Sequence, residues 1–262
     1  MNKNKTVYRF KLAALVPKHL AIPSRYYYHL FTGVLEPEIK YLPQLIGRRG
    51  TAIDVGGYNG EYSFALSRIS KSVICFEPQP LLAKSIGLYR NDRIKVYNMG
   101  LSEKESTLEL RIPLRDGSED NALASFRKLD GPCKTITVPV RRLDDFHFSD
   151  VTLIKIDVEG YESKVISGGV ETISREKPIL IVEIEQRHLE IMGMQMEDVF
   201  NQIEDLGYCG YFLENRILRN LQAFNYDIHQ KRYRENPIAG KYINNFIFKP
   251  IVRAPINRNH GL

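Results

Sequence analysis

The chain has 262 residues, of which 43% are hydrophobic and 26% charged, enough apolar side chain to bury a core and a balance that excludes a disordered scaffold. Its apolar runs, such as 12–16 and 179–182, fall far short of the roughly 20 residues needed to cross a bilayer. The three cysteines, Cys75, Cys133 and Cys209, show neither CxxC nor Cys/His ligand spacing, which argues against a disulfide framework or a structural zinc site.

The net charge of +6 is unevenly placed: residues 1–49 and 216–262 each hold nine Lys/Arg against two Asp/Glu, whereas the middle is net −8. Such ends either solubilise the chain or form a basic rim facing an anionic glycan, a carrier phosphate or a lipid surface, so peripheral membrane contact is one reading. Nucleic acid is not expected as a partner, because the basic residues form no dense run and no aromatic RNP-type pattern accompanies them. Lys3, Lys5, Arg9 and Lys11 precede apolar residues, but Pro17 and Lys18 interrupt them and no small-residue cleavage site follows. No signal peptide is therefore expected, and a reducing cytoplasm is the expected location.

In chain order, residues 1–35 show no clear period, contain Pro17, Pro23 and the cluster Tyr26-Tyr27-Tyr28, and read as an N-terminal cap on one domain formed by residues 36–262. Ile39, Leu42 and Leu45 recur at three-residue spacing and predict a short helix over 38–46 despite Pro43. Apolar runs without alternation follow at 51–55, 72–76, 94–98, 152–156 and 179–183, the signature of strands buried on both faces of a parallel sheet. Helices are predicted between them at 61–69, 81–89 and 162–173, and Met196, Val199, Phe200, Ile203 and Leu206 mark a further apolar helical face ending near Gly207. Residues 102–142 differ. Alternation at 107–112 and 135–140 around the turn signal Asp116-Gly117 predicts an inserted antiparallel piece. Two β-rich runs flank Asn215-Arg216, and a last strand is predicted at 243–248. The fold class is thus α/β, a doubly wound, mostly parallel sheet with an antiparallel final strand.

Ligands of such sheets bind beyond the carboxyl ends of the strands. The first strand ends in Asp54-Val55-Gly56-Gly57-Tyr58-Asn59-Gly60, in which Gly56, Gly57 and Gly60 allow close backbone approach and the helix start suits a carboxylate. Asp54 can accept from an ammonium group, so the turn suits an amino-acid moiety such as the methionyl end of S-adenosylmethionine. Glu77, after the second strand, can accept from both hydroxyls of a ribose, and Asn98, after the third, can reach an adenine edge. The fourth strand delivers Asp157, Glu159 and Glu162 to one end, where desolvated carboxylates shift pKa or seek a cation.

Asp54 to Gly60, Phe76-Glu77-Pro78, Ile156-Asp157-Val158-Glu159-Gly160-Tyr161-Glu162 and the strand at 179–183 together resemble the FkbM family of S-adenosylmethionine-dependent methyltransferases, with Glu36-Pro37-Glu38 and Asn245-Phe246-Ile247-Phe248 also similar. The resemblance implies a class I methyltransferase fold and O-methylation of a hydroxyl on a sugar, glycolipid or other polar natural product. It implies that Asp54, Gly56 and Gly60 hold the methionyl part of the cofactor, that Glu77 holds the ribose, and that Asp157 and Glu159 border the reaction centre. Gly57-Tyr58 departs from the family's usual small residue followed by Asn, which gives Tyr58 its own place at the cofactor, with an aromatic face that favours a sulfonium. Deprotonation of the acceptor falls to Asp157 or to His188, or a divalent ion held by Asp157 and Glu183 acidifies it. Two other readings stand beside this one: a nicotinamide-dependent oxidoreductase, disfavoured by the missing G-x-G-x-x-G, and a binding protein that kept the fold without the chemistry.

Overall fold

A computed structural model describes residues 16–89, 91–232 and 242–251; the first part of the N-terminal cap and part of the last basic stretch lie outside them. The expected sheet is present. Strands β1 (Thr51–Val55), β2 (Ser72–Phe76), β3 (Ile94–Tyr97), β8 (Val151–Ile156) and β9 (Ile179–Glu183) are parallel neighbours, and the full order among the described residues is β11-β10-β12-β9-β8-β1-β2-β3. The last strand, β12 (Asn245–Pro250), begins two residues later than predicted and inserts antiparallel between β9 and β10 (Tyr208–Glu214). β10 and β11 (Ile217–Asn220) form a hairpin around Asn215-Arg216. This is the α/β class anticipated from the apolar runs.

Alternate residues of each strand enter different cores. Ile53, Val55, Ile154, Ile156, Leu180 and Val182 pack with helices α5 (Glu162–Ser167), α6 (Val170–Glu176) and α7 (Met196–Glu204). Ala52, Val73, Leu153 and Ile181 pack on the opposite face with α2 (Pro37–Leu45) and α3 (Glu61–Ser67). Both faces are therefore dry, which is why these strands read as unbroken apolar runs. Helix α4 (Pro80–Gly87) joins β2 to β3 and buries Ile86 against Cys75 and Phe64.

The insert forms its own small sheet. β5 (Ser106–Arg115) and β7 (Cys133–Arg141) pair antiparallel from Ser106↔Val140 to Pro113↔Cys133, β6 (Ser118–Glu119) returns from the Asp116-Gly117 turn, and β4 (Gly100–Leu101) runs parallel to β7.

Two elements differ from expectation. The cap, read as lacking a period, holds helix α1 (Ala21–Thr32), which ends at Gly33 in the left-handed conformation. Its one fully buried position is Ile22, and the aromatic residues on its other sides obscure the apolar periodicity. The helix predicted over 162–173 is two helices, because at Gly168 the backbone presses against the insert: a Cβ there would lie 2.0 Å from the carbonyl oxygen of Ser102. Gly168→Ala is expected to cost about 2–4 kcal/mol in urea unfolding. Gly87→Ala, with nothing within 4 Å of the new methyl group, is expected to gain about 0.4–1 kcal/mol.

Candidate active site

Two left-handed turns build the site. After β1 the chain curls over β2, with the N–H groups of Gly56 and Gly57 both donating to Phe76 O at 2.9 and 3.2 Å. Gly56 has φ +88, and a Cβ there would lie 1.8 Å from the carbonyl oxygen of Asp157; a Cβ on Gly57 would lie 2.2 Å from Cys75 Sγ. Contacts between segments of the chain itself thus require these two glycines. Tyr58, at φ +43, directs its N–H to Glu77 Oε2 at 2.7 Å, and Gly60 at φ +78 opens α3. After β8, Glu159 (φ +55) and Gly160 (φ +94) make the second turn. The insert clamps it: Ser125 Oγ and Arg127 Nε donate to Glu159 O at 2.7 and 3.0 Å.

Between the turns lies a cleft of about 250 Å³, with Gly56, Tyr58, Glu77 and Gln79 on one side, Asp157 and Glu159 on the other, Ser125 and Phe126 from the insert, and Glu36 from the start of α2. Asp54, Gly57, Gly60, Asn98, Glu183 and His188 do not line it. Asp54 is buried beneath the glycine turn and accepts from Ser63 Oγ at 2.6 Å. Asn98, expected at an adenine edge, spends its Nδ2 on the carbonyls of Glu77 and Pro78 at 2.9 and 3.0 Å and so braces the loop that carries Glu77. His188 is buried behind Glu159, its Nδ1 3.0 Å from Glu159 Oε2.

Burial dominates the electrostatics. It pushes the carboxyl of Asp54 up to about 6 and those of Glu77 and Glu162 up to about 7, despite hydrogen bonds that favour their ionised forms. Glu159 rises to about 9, from burial and then from the negative charges of Asp157 and Glu185; Glu183 rises strongly for the same kind of reason. Glu77 is held by two backbone donors, Tyr58 N–H and Gln79 N–H at 2.7 and 2.8 Å, and keeps lone pairs for further donors. Next to it, Gln79 Nε2 donates to Asn121 O at 2.9 Å while its Oε1 is buried without a partner.

The residue that sequence reasoning missed is Lys155. It is 1% exposed, and its Nζ donates to Asn245 Oδ1 at 2.7 Å, lies 3.7 Å from Asp157 Oδ2 and stands 5.1 Å from the centre of the Tyr62 ring. Burial opposes its charge, but Asp157, Glu183, Glu36 and Glu38 outweigh burial and hold the ammonium firmly protonated. Asn245 in turn donates to Glu36 Oε2 at 3.2 Å. Asp157, Glu183 and Glu159 each offer an oxygen within 4.8 Å of the others, which includes the pair expected to bind a metal. The chain's own donors already serve this group: Lys155 stands beside Asp157, and Asn244 Nδ2 donates to Glu183 Oε1 at 2.6 Å. These residues therefore fit a divalent ion poorly.

A model of the methyltransferase FkbM domain matches residues 54–209. The chain belongs to the FkbM methyltransferase family. The match weighs against the nicotinamide-dependent oxidoreductase reading. The 2-O-methyltransferase NoeI of Sinorhizobium fredii is 28% identical over 147 residues, covering 48% of this chain and 59% of NoeI, so the match spans less than two thirds of that relative. Among solved structures, a methyltransferase FkbM from Methylobacillus flagellatus KT has a TM-score of 0.48 at 17% identity, covering 93% of this chain and 59% of that one. A SAM-dependent methyltransferase from Aquifex aeolicus has a TM-score of 0.40 at 17% identity, covering 83% and 90%. Among the described residues no helix is long and apolar enough to cross a membrane.

Carboxyls that titrate higher in the folded chain than in the unfolded one bind extra protons when folded, so their contribution is present below the unfolded value near 4.5 and is lost as pH rises through the folded value. The melting temperature is expected to fall from pH 5 to pH 9, through Glu77 and Glu162 near 7 and Glu159 near 9, and Glu159→Gln is expected to flatten the upper part of that slope. Lys155→Met leaves buried carboxylates uncompensated and is expected to cost about 3–5 kcal/mol near neutral pH. The deficit in urea unfolding should shrink toward pH 5, where those carboxylates take up protons instead.

Proposed function

We propose that the chain is an S-adenosylmethionine-dependent O-methyltransferase acting on a hydroxyl of a carbohydrate, a glycolipid or another polar natural product. The observation that carries this reading is the wall of the cleft at Glu77: a desolvated acid fixed by two backbone N–H groups, beside the unused buried acceptor Gln79 Oε1. A ribose offers two donor hydroxyls and adenine an amino group, the complement of such a wall. Family membership supports the reaction, and the resemblance to a 2-O-methyltransferase supports oxygen as the atom methylated.

When bound, the cofactor supplies an electrophilic methyl carbon. Glu77 would hold its ribose, the turn at Gly56-Gly57-Tyr58 its methionyl part, and Gly60 and Asp54 would act from beneath, Asp54 as a buried negative charge under the turn. Asp157 and Glu159 face the cleft from the loop after the neighbouring parallel strand β8, and their oxygens favour a cation between the walls. The acceptor hydroxyl must lose a proton as it attacks. Asp157, with Lys155 Nζ 3.7 Å away, suits orientation of the hydroxyl. Glu159, raised to about 9, holds its own proton near neutrality, so it takes up the acceptor's proton only as it passes its own to the His188 imidazole 3.0 Å behind it, which makes the pair a proton relay. No metal step is needed.

Transfer of a labelled methyl group from the cofactor to a panel of nucleotide sugars, oligosaccharides and lipid-linked glycans tests this reading. The expected outcome is label in at least one hydroxyl acceptor, undiminished by exhaustive chelation. Glu77→Ala is expected to weaken S-adenosylhomocysteine binding at least about tenfold in calorimetry, the loss of roughly one charge-assisted hydrogen bond. Glu159→Gln and His188→Ala are expected to leave that binding intact and lower kcat by about 10²–10⁴. Full activity in His188→Ala would remove the histidine from the proton path.

A further inference from the structure

A second cavity, of about 280 Å³, lies on the same edge of the sheet as the cleft. β10 runs antiparallel to β12, which runs antiparallel to β9, so β10 ends at Glu214 on the side where β1, β8 and β9 end. The wall between the two spaces is the segment joining α1 to α2. Glu36 lines the cleft, whereas its chain neighbours Leu35 and Pro37 line the cavity. The cavity's polar lining is Lys40, Tyr41, Gln44 and Arg216. Neither Lys40 nor Arg216 has an ion pair or a side-chain hydrogen bond among the described residues. The acid nearest in sequence to Arg216, Glu214, is engaged elsewhere, 3.4 Å from Arg219 Nε and 3.5 Å from His229 Nε2.

Arg216 also stands where the backbone disfavours it. The β10–β11 hairpin closes with Glu214 opposite Ile217, and both intervening residues are left-handed, Asn215 at φ +50 and Arg216 at φ +67. Two-residue turns of this kind favour glycine in the second place. A long cation held there against local preference, facing a second unpaired cation across a cavity, is the pattern of a binding group retained at the expense of stability.

We propose that this cavity is an acceptor subsite for an anionic sugar, one bearing a carboxylate or a phosphate. Lys40 and Arg216 take the anion, and the Tyr41 ring and Gln44 amide meet the sugar. Only the naming of that sugar as part of the methyl acceptor rests on the function proposed above; the binding itself does not.

The test is calorimetric titration at low ionic strength with glucose 6-phosphate, glucuronate and glucose, on the wild-type chain and on Lys40→Ala, Arg216→Gly and, as a control of equal charge loss, Lys104→Ala. At least one of the two anionic sugars is expected to bind at least about tenfold more tightly than glucose, the worth of one charge-assisted contact; the stronger of the two identifies the anion. Lys40→Ala and Arg216→Gly are each expected to lose that preference while Lys104→Ala keeps it. Arg216→Gly is further expected to raise the melting temperature by about 1–4 °C and to bind S-adenosylhomocysteine as the wild type does. Equal affinity for all three sugars, an equal loss in Lys104→Ala, an unchanged preference in either cavity variant, or a lowered melting temperature in Arg216→Gly overturns the proposal. Failure of S-adenosylhomocysteine to bind the wild type counts against the function proposed above and leaves the subsite result standing.

Discussion

One ammonium group, that of Lys155, is the charge on which the carboxyl end of the sheet depends. Five acids, Asp54, Asp157, Glu183, Glu36 and Glu38, act on it, most of them largely out of water, with Asp157 and Glu36 reaching the cleft. Without a cation such a cluster would repel itself and lose most of its ionisation. Strand register places Lys155 opposite Asp54 on β1 and Glu183 opposite Asn245 on β12, on the same face as the apolar residues beneath α2 and α3. The polar patch is thus the upper end of an otherwise dry layer. Asn245 carries the network across to Glu36, so the same hydrogen bonds that neutralise the patch also tie the α1–α2 connection to the sheet.

The cleft follows from that arrangement together with two pieces of left-handed backbone. The turn after β1 can lie against the end of β8 only because Gly56 has no side chain, since the Asp157 carbonyl occupies the space a methyl group would need. The turn after β8 is braced by the insert through Ser125 and Arg127. The insert therefore works as the support of the second acidic turn as well as a wall of the cleft, and cleft-lining Phe126 belongs to the same segment that fixes Glu159.

Much of this was legible in the sequence where one physical rule governed. Strands 51–55, 72–76 and 179–183 were predicted to the residue, because burial on both faces leaves an apolar run with sharp polar ends. Glu77, Asp157 and Glu159, which line the cleft, could be singled out because a carboxylate beyond a buried strand has few structural reasons to be there. What could not be read were features depending on contacts between distant segments. Helix α1 shows aromatic residues on several sides, and its clearest sign was Gly33 as a terminator rather than any period. The break at Gly168 depends on Ser102, far away in the chain. Lys155 passed unremarked within the run read as apolar at 152–156, although a lysine between Ile154 and Ile156 in a doubly buried strand is itself the signal of a buried acid beside it. The Asp54 carboxylate lies under the turn with Ser63 as its partner, a placement that α3 decides and the turn motif alone does not.

In the function proposed above, Glu77 and the two turns seat the methyl donor. A crystal structure of the chain grown with S-adenosylhomocysteine tests this most directly. The nucleoside should lie in the cleft with its ribose hydroxyls on the Glu77 carboxylate and its sulfur facing Asp157 and Glu159. A molecule bound elsewhere, or a cleft that stays empty at saturating S-adenosylhomocysteine, would contradict it.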